Sequence, residues 1–218
     1  MDILDWLEIV ILPVVAVVSL LIARHFKRDE RILRSLEAVQ RVAIRDAKKD
    51  QKVRIKGKIR EQDDLLVAPI SGKKCVAYQI EVSQVISSSY DDVEAELITE
   101  KKSVAFYIVD VNGDPAKILS RCQEISLHKE LVEEFNRFDE LPHTHMKVLE
   151  KYGEKATNFL GINKRFIFKE GILEVGERIF VAGKGFWQKP MDDSKPYFIM
   201  NGTPEEPMLI SDRSTPTL

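Results

Sequence analysis

Six side chains in this sequence belong to the types that ligate metals or act as soft nucleophiles: Cys75, Cys122, His25, His128, His143 and His145. Six are too few for a fold braced by two zinc ions, which takes eight ligands. His143 and His145 are two apart and would share a face only on a strand. They follow Pro142 in a polar, helical stretch, where both are expected to be exposed. Cys75 opens an apolar run and reads as a small buried hydrophobe rather than a nucleophile. Asp110 and Asp114 flank Asn112-Gly113 and read as turn caps rather than cation ligands. Gly183-Lys184-Gly185 and Ser71-Gly72-Lys73-Lys74 set glycine beside lysine without phosphate-loop spacing. No catalytic residue, metal site or cofactor is expected.

The clearest chemical pattern is electrostatic. Over 52–60 the residues alternate strictly, with Lys52, Arg54, Lys56, Lys58 and Arg60 on one face of a strand and Val53, Ile55 and Ile59 on the other. Such a face is either simply solvated or turned to anionic lipid headgroups. Nucleic acid fits it poorly, because no aromatic residues interleave for base stacking. The chain as a whole is balanced, with 33 basic and 35 acidic residues among 218. Hydrophobic residues make up 44%, enough for a buried core of one or two domains.

The elements that must carry this face begin at a membrane. Residues 9–23 hold no charge and are almost wholly apolar. Counting outward to Trp6 and Phe26 gives a helix of roughly 31 Å, enough to span a bilayer. An acidic start (Asp2, Asp5, Glu8) and an abrupt basic end (Arg24 to Arg28) argue against a cleaved signal peptide. Residues 24–60 carry fourteen Lys/Arg against five Asp/Glu, whereas 1–23 carry none against three. That asymmetry leaves the N-terminus outside and residues 24–218 in the cytoplasm. No second spanning run follows, so a single-pass protein is expected.

Residues 1–28 are therefore read as a transmembrane anchor and 29–50 as an amphipathic stalk helix. Its stripe of Ile32, Leu36, Val39 and Ala43 packs on the following domain, self-associates, or lies on lipid. Residues 51–212 read as a β-rich domain, with a tail over 213–218. Strands are predicted at 75–85, 103–111, 165–168, 172–176, 178–183, 197–200 and 208–211, with a hairpin turn at Asn112-Gly113. Between about 126 and 160 the period turns helical, predicting a helical hairpin. The fold class is α+β, predominantly β: a small β-barrel, OB-like in character, interrupted by that hairpin.

Several positions together resemble a known family. They are Gly57; Pro69, Ser71, Gly72, Cys75 and Tyr78; Phe106, Asp110 and Gly113; then Glu170, Leu173, Gly176 and Gly183. Their order and spacing resemble the GIDE domain, also called BAM for "beside a membrane", over about 50–212. In eukaryotes that domain sits between two transmembrane helices of a mitochondrial ubiquitin ligase ending in a zinc-binding RING. Prokaryotic relatives often lack the RING. The resemblance implies a membrane-tethered module of the prokaryotic type. Ligase activity does not carry over to six Cys/His side chains. The family positions themselves read as turn, core and close-approach residues.

The function expected is a single-pass, membrane-anchored, non-catalytic binding or adaptor module. A membrane-associated protein or anionic lipid is its expected partner, with self-association through the stalk open. A ubiquitin-ligase-related protein, or a lipid- or nucleic-acid-binding barrel acting through the basic strand, is the alternative.

Overall fold

The computed structural model describes residues 29–60, 62, 64–87, 92–190 and 195–213. The expected anchor at 1–28 lies outside them. Among the described residues no helix is long and apolar enough to cross a membrane. The elements are α1 (29–37), a 3₁₀ turn (Ile44–Asp46), β1 (Val53–Ile59), β2 (Leu66–Val67), β3 (Lys74–Cys75), β4 (Ala77–Ser87) and β5 (Asp92–Ser103). Then come β6 (Phe106–Val109), β7 (Pro115–Ile118), β8 (Gln123–Ser126), β9 (Leu131–Phe135) and α2 (His143–Lys151). The chain ends with β10 (Arg165–Leu173), β11 (Arg178–Gln188), β12 (Tyr197–Asn201) and β13 (Met208–Ser211).

Alternation of small and branched apolar residues in β1, β6, β7, β11 and β12 lets these five strands close on themselves. Their order is β1-β6-β7-β12-β11, and β1 pairs back onto β11. In chain order that is a 1-2-3-5-4 barrel whose third and fifth strands, β7 and β12, are parallel. Ile55, Ile59, Phe106, Ile108, Ile118, Val181, Phe198 and Met200 fill its interior. β13 and β8 extend the sheet beyond β11.

A second, four-stranded sheet runs β5-β4-β10-β9. β4 and β10 link it to the barrel: Ala77 and Leu173, directly paired, belong to the barrel core. Tyr78, Ile80, Val82, Phe166, Phe168 and Ile172 form a second core under α2. In β4 polar side chains are buried along with apolar ones. Gln79 is fully buried too, because its side chain accepts the backbone N–H of Leu127 at 3.2 Å and donates to Glu81.

Three sequence expectations change. The stalk is helical only over 29–37, not to 50. Ile32 and Leu36 pack on Ala182 and Leu209 of β11 and β13, so the stripe covers the domain. Beyond it the chain turns to the edge of β1 left open by β6, which reaches only Lys58 and Ile59. Val42 donates to the Arg54 carbonyl and Arg54 to that of Gln40, both at 3.0 Å, which covers that edge. The expected helical hairpin is one helix, α2, preceded by a strand, β9. Leu131 and Phe135 fit both periods, but the free edge of β10 is satisfied only by extended backbone. β5 stands where the sequence predicts no strand.

Candidate anion-binding cleft

β1 alternates as expected: Val53, Ile55, Gly57 and Ile59 face the core, while Arg54, Lys56 and Lys58 face outward. The basic residues, however, do not make one uniform face. Lys56 Nζ stands 4.8 Å above the Phe180 ring and the Arg54 guanidinium 5.9 Å from it, so both stems lie on an aromatic surface. Lys52, near the Lys184–Glu206 ion pair, and Arg60, which donates its N–H to the Tyr107 carbonyl, lie beyond either end.

Lys56 and Lys58 also line a cleft of about 500 Å³ together with Arg41, Arg178 and the turn that contains Asp110. One like-charge juxtaposition lies within it, and a second lies beside it through Arg54, which does not line the cleft. Lys58 lies directly opposite Arg178 across the β1–β11 ladder, and Arg41 bridges to Arg54. Like charges in that position cost stability in an empty sheet. None of Arg41, Lys56, Lys58 and Arg178 is ion-paired with a carboxylate among the described residues.

Asp110 is the one acidic side chain lining the cleft, and it is occupied elsewhere. Oδ1 accepts the N–H groups of Asn112 (2.8 Å) and Asp114 (3.1 Å), and Oδ2 accepts that of Ile44 (3.1 Å). Burial opposes ionisation there, but these N–H donors outweigh it and hold the carboxyl below the usual aspartate range. Four cationic side chains against this one carboxylate leave the lining net positive. Gly57 forms part of its floor, where an added Cβ would stand 2.9 Å from that of Ile108.

Arg41 and Arg178 were not legible as members of this group. Arg41 sits in what reads as a continuing helix, and Arg178 meets Lys58 only through the β1–β11 register. A second charged pocket, lined by Asp29, Glu81, Glu94, Lys129 and Lys169, offers less. Lys129 pairs with Glu81 at 3.0 Å, Lys169 with Glu94 at 3.3 Å, and Lys101 with Asp29 at 3.5 Å. Burial lowers the pKa of Lys129, which Glu81 opposes. Opposite charges there satisfy one another.

The remaining residues that carry the resemblance lie away from the cleft, in turns and in the two cores. Glu170 holds the turn after Pro69 through Ile70 and Ser71, with Gly72 at φ +70° and Cys75 fully buried beside it. Burial, and then the charges of Glu170 and Glu174, push the Cys75 thiol up to about 11. Tyr78 donates to Glu100 at 2.9 Å, and burial followed by that bond raises its pKa. Phe106 and Leu173 are barrel core, and Gly183 packs against Met208. Gly113 and Gly176 sit in turns at φ +80° and +94°. Gly57 and Asp110 alone among the motif residues reach the cleft.

His145 is not exposed as expected. α2 turns it inward, where it is 3% exposed between Phe135 and Phe168, with Nε2 2.6 Å from Glu133. Its i, i+3 and i, i+4 relation to Val148 and Leu149 was the available signal.

No protein-family model, curated protein or solved structure matches the chain.

Proposed function

We propose that the chain is a single-pass, membrane-anchored, non-catalytic binding module whose OB-like barrel takes a phosphate-bearing lipid headgroup in the cleft of Arg41, Lys56, Lys58 and Arg178. One observation carries this: among the described residues Arg41, Lys56, Lys58 and Arg178 line one cleft against a single carboxylate, that of Asp110, which is committed to backbone N–H groups. The apolar run at 9–23, the basic excess that follows it and the resemblance to the GIDE domain support the membrane setting. The 1-2-3-5-4 strand order supports the OB-like reading of the barrel, an architecture that serves binding in many contexts. Fixed guanidinium and ammonium groups hold an anion by charge-assisted hydrogen bonds, and no covalent step is required.

The test is a titration of full-length protein in neutral-lipid nanodiscs with a soluble inositol phosphate. Saturable binding that weakens with salt is expected, with about a tenfold loss for each of Lys58→Glu and Arg178→Glu, or ~1.4 kcal/mol apiece. Absence of binding, or equal binding by the double variant, would sink the proposal.

A second reading has its own observation. On the outer face of β6, β7 and β12, Tyr107 packs edge-on against Tyr197 at 5.7 Å with Lys117 Nζ 5.3 Å from its ring. A ring pair with a cation is the kind of platform on which unpaired bases stack. Tyr107→Ala should then weaken binding to a single-stranded oligonucleotide while leaving inositol phosphate binding unchanged.

A further inference from the structure

Two loops at one side of the four-stranded sheet place large apolar side chains in solvent. Phe138 is 98% exposed, Phe159 94%, Leu160 66% and Ile162 47%. Exposed phenylalanines at this level are costly in a free surface and mark a contact.

The loops are built to hold those side chains out. In the first, the Asn136 N–H donates to Asp139 Oδ2 at 2.6 Å and the Asp139 N–H returns to the Asn136 carbonyl at 3.1 Å. Phe138 is carried at the crest of that turn. In the second, Thr157 bridges to Asn163, and Lys164 donates to the Ala156 carbonyl at 2.8 Å. Asn158 Oδ1 accepts the N–H groups of Leu160 (2.9 Å) and Ile162 (3.0 Å), with Gly161 at φ +78° completing the bend. Asn163 Nδ2 donates to the Asp139 carbonyl at 3.2 Å, which ties the two crests side by side.

We infer that this loop pair dips Phe138, Phe159, Leu160 and Ile162 into the interface of the lipid bilayer to which the chain is anchored. The inference rests on the membrane-anchored reading above. The shape favours lipid: the crests are convex, and a fluid interface accepts a protruding ring that a protein partner could take only in a matched pocket. Arg137, Lys155 and Lys164 lie within a few residues of the crests, as expected of side chains that reach back to headgroup phosphates. The position favours it as well. The described chain begins with Asp29 and Glu30 lining a pocket against Glu81, Glu94 and Lys169 of the four-stranded sheet. The loops leave β9 and enter β10 of that same sheet. A bilayer edge near Phe26, three residues upstream of Asp29, therefore adjoins this half of the molecule.

The experiment uses full-length protein reconstituted in vesicles. Phe159→Cys or Phe138→Cys in a Cys122→Ser background carries an environment-sensitive fluorophore, and native Cys122, exposed on the barrel side, carries it as the control. Flotation after alkaline carbonate extraction reports anchoring separately. Labels at 159 and 138 should shift to the blue and lose most of their emission to lipids brominated near the headgroup. The label at 122 should do neither. If the protein stays anchored but the 159 and 138 labels remain in water, the loop inference fails and the anchored reading stands. If carbonate extracts the protein, the anchored reading fails. Quenching at 159 before extraction would then still support the loops, and its absence would overturn them. Formation of a 159–159 disulfide between copies with no quenching would assign the crests to a second copy and overturn the lipid assignment.

Discussion

Glu170 and Ser71 lie 99 positions apart, yet the carboxylate of one receives the backbone N–H of the other at 3.0 Å. The other carboxylate oxygen takes the N–H of Ile70 at 2.9 Å. Glu170 is 2% exposed, so a buried charge is held by two amide dipoles at the mouth of a turn. The arrangement docks the turn after Pro69 onto β10.

Glu170→Ala should therefore leave one buried and one partly buried N–H group without an acceptor and cost about 2–3 kcal/mol. For a domain of this size the melting temperature should fall by roughly 5–12 °C. Glu170→Gln keeps one acceptor oxygen and should recover part of the loss. Thermal melts of the three proteins in one detergent check this; equal melting temperatures would mean the turn is held by something else.

How much of this could be read from the sequence depends on whether period alone decides. β1, the hairpin at Asn112-Gly113 and β11 to β13 follow from alternation and turn chemistry, and they stand where expected. β9 does not, because Leu131 and Phe135 satisfy a period of two and a period of four alike. Only the free edge of β10 selects extended backbone. The early end of α1 has the same cause, since the open edge of β1 draws residues 40–42 out of the helix. In the cleft, Lys56 and Lys58 were legible from alternation. Arg178 was not, because its place opposite Lys58 is a matter of pairing register between strands 120 residues apart.

The two cysteines should differ sharply in reactivity. Cys122 is exposed, whereas Cys75 is buried with its thiol pushed up to about 11. In native protein near pH 8 a maleimide should label one thiol per chain, and after denaturation two. The raised pKa also carries a sign. A folded thiol that ionises later than its unfolded counterpart contributes stability that is intact below about pH 8.5 and fades toward pH 11. Cys75→Ala should flatten the alkaline part of the stability profile; an unchanged slope would assign it to other groups.

Gly57 tests the barrel wall. A Cβ there would stand 2.9 Å from Ile108 Cβ, and that contact lies at the branch point of a buried side chain rather than at a flexible end. Gly57→Ala should cost about 1–3 kcal/mol through overpacking, measured by urea unfolding. Gly113→Ala is the informative companion. It meets nothing within 4 Å, so any loss there comes from its φ of +80° alone. A Gly57→Ala protein as stable as the parent would show that β1 and β6 can separate without loss.

Asp110 joins two parts of the molecule: its own turn between β6 and β7, and Ile44 in the 3₁₀ turn that precedes β1. Its carboxyl titrates below the usual aspartate value despite burial, because the N–H groups of Asp114, Ile44 and Asn112 favour the charged form. A depressed pKa of this kind adds stability that is fully present above the unfolded value near 3.9 and is lost as pH falls through the lower folded value. Asp110→Asn retains one acceptor oxygen but not the charge. The variant should be less stable than the parent at pH 7, by about 1–2 kcal/mol. The gap should hold down to about pH 5 and then close as the parent's carboxyl is protonated. Paired unfolding curves between pH 7 and pH 3 measure it. A gap independent of pH would mean that the loss comes from the geometry of the turn and not from the charge on Asp110.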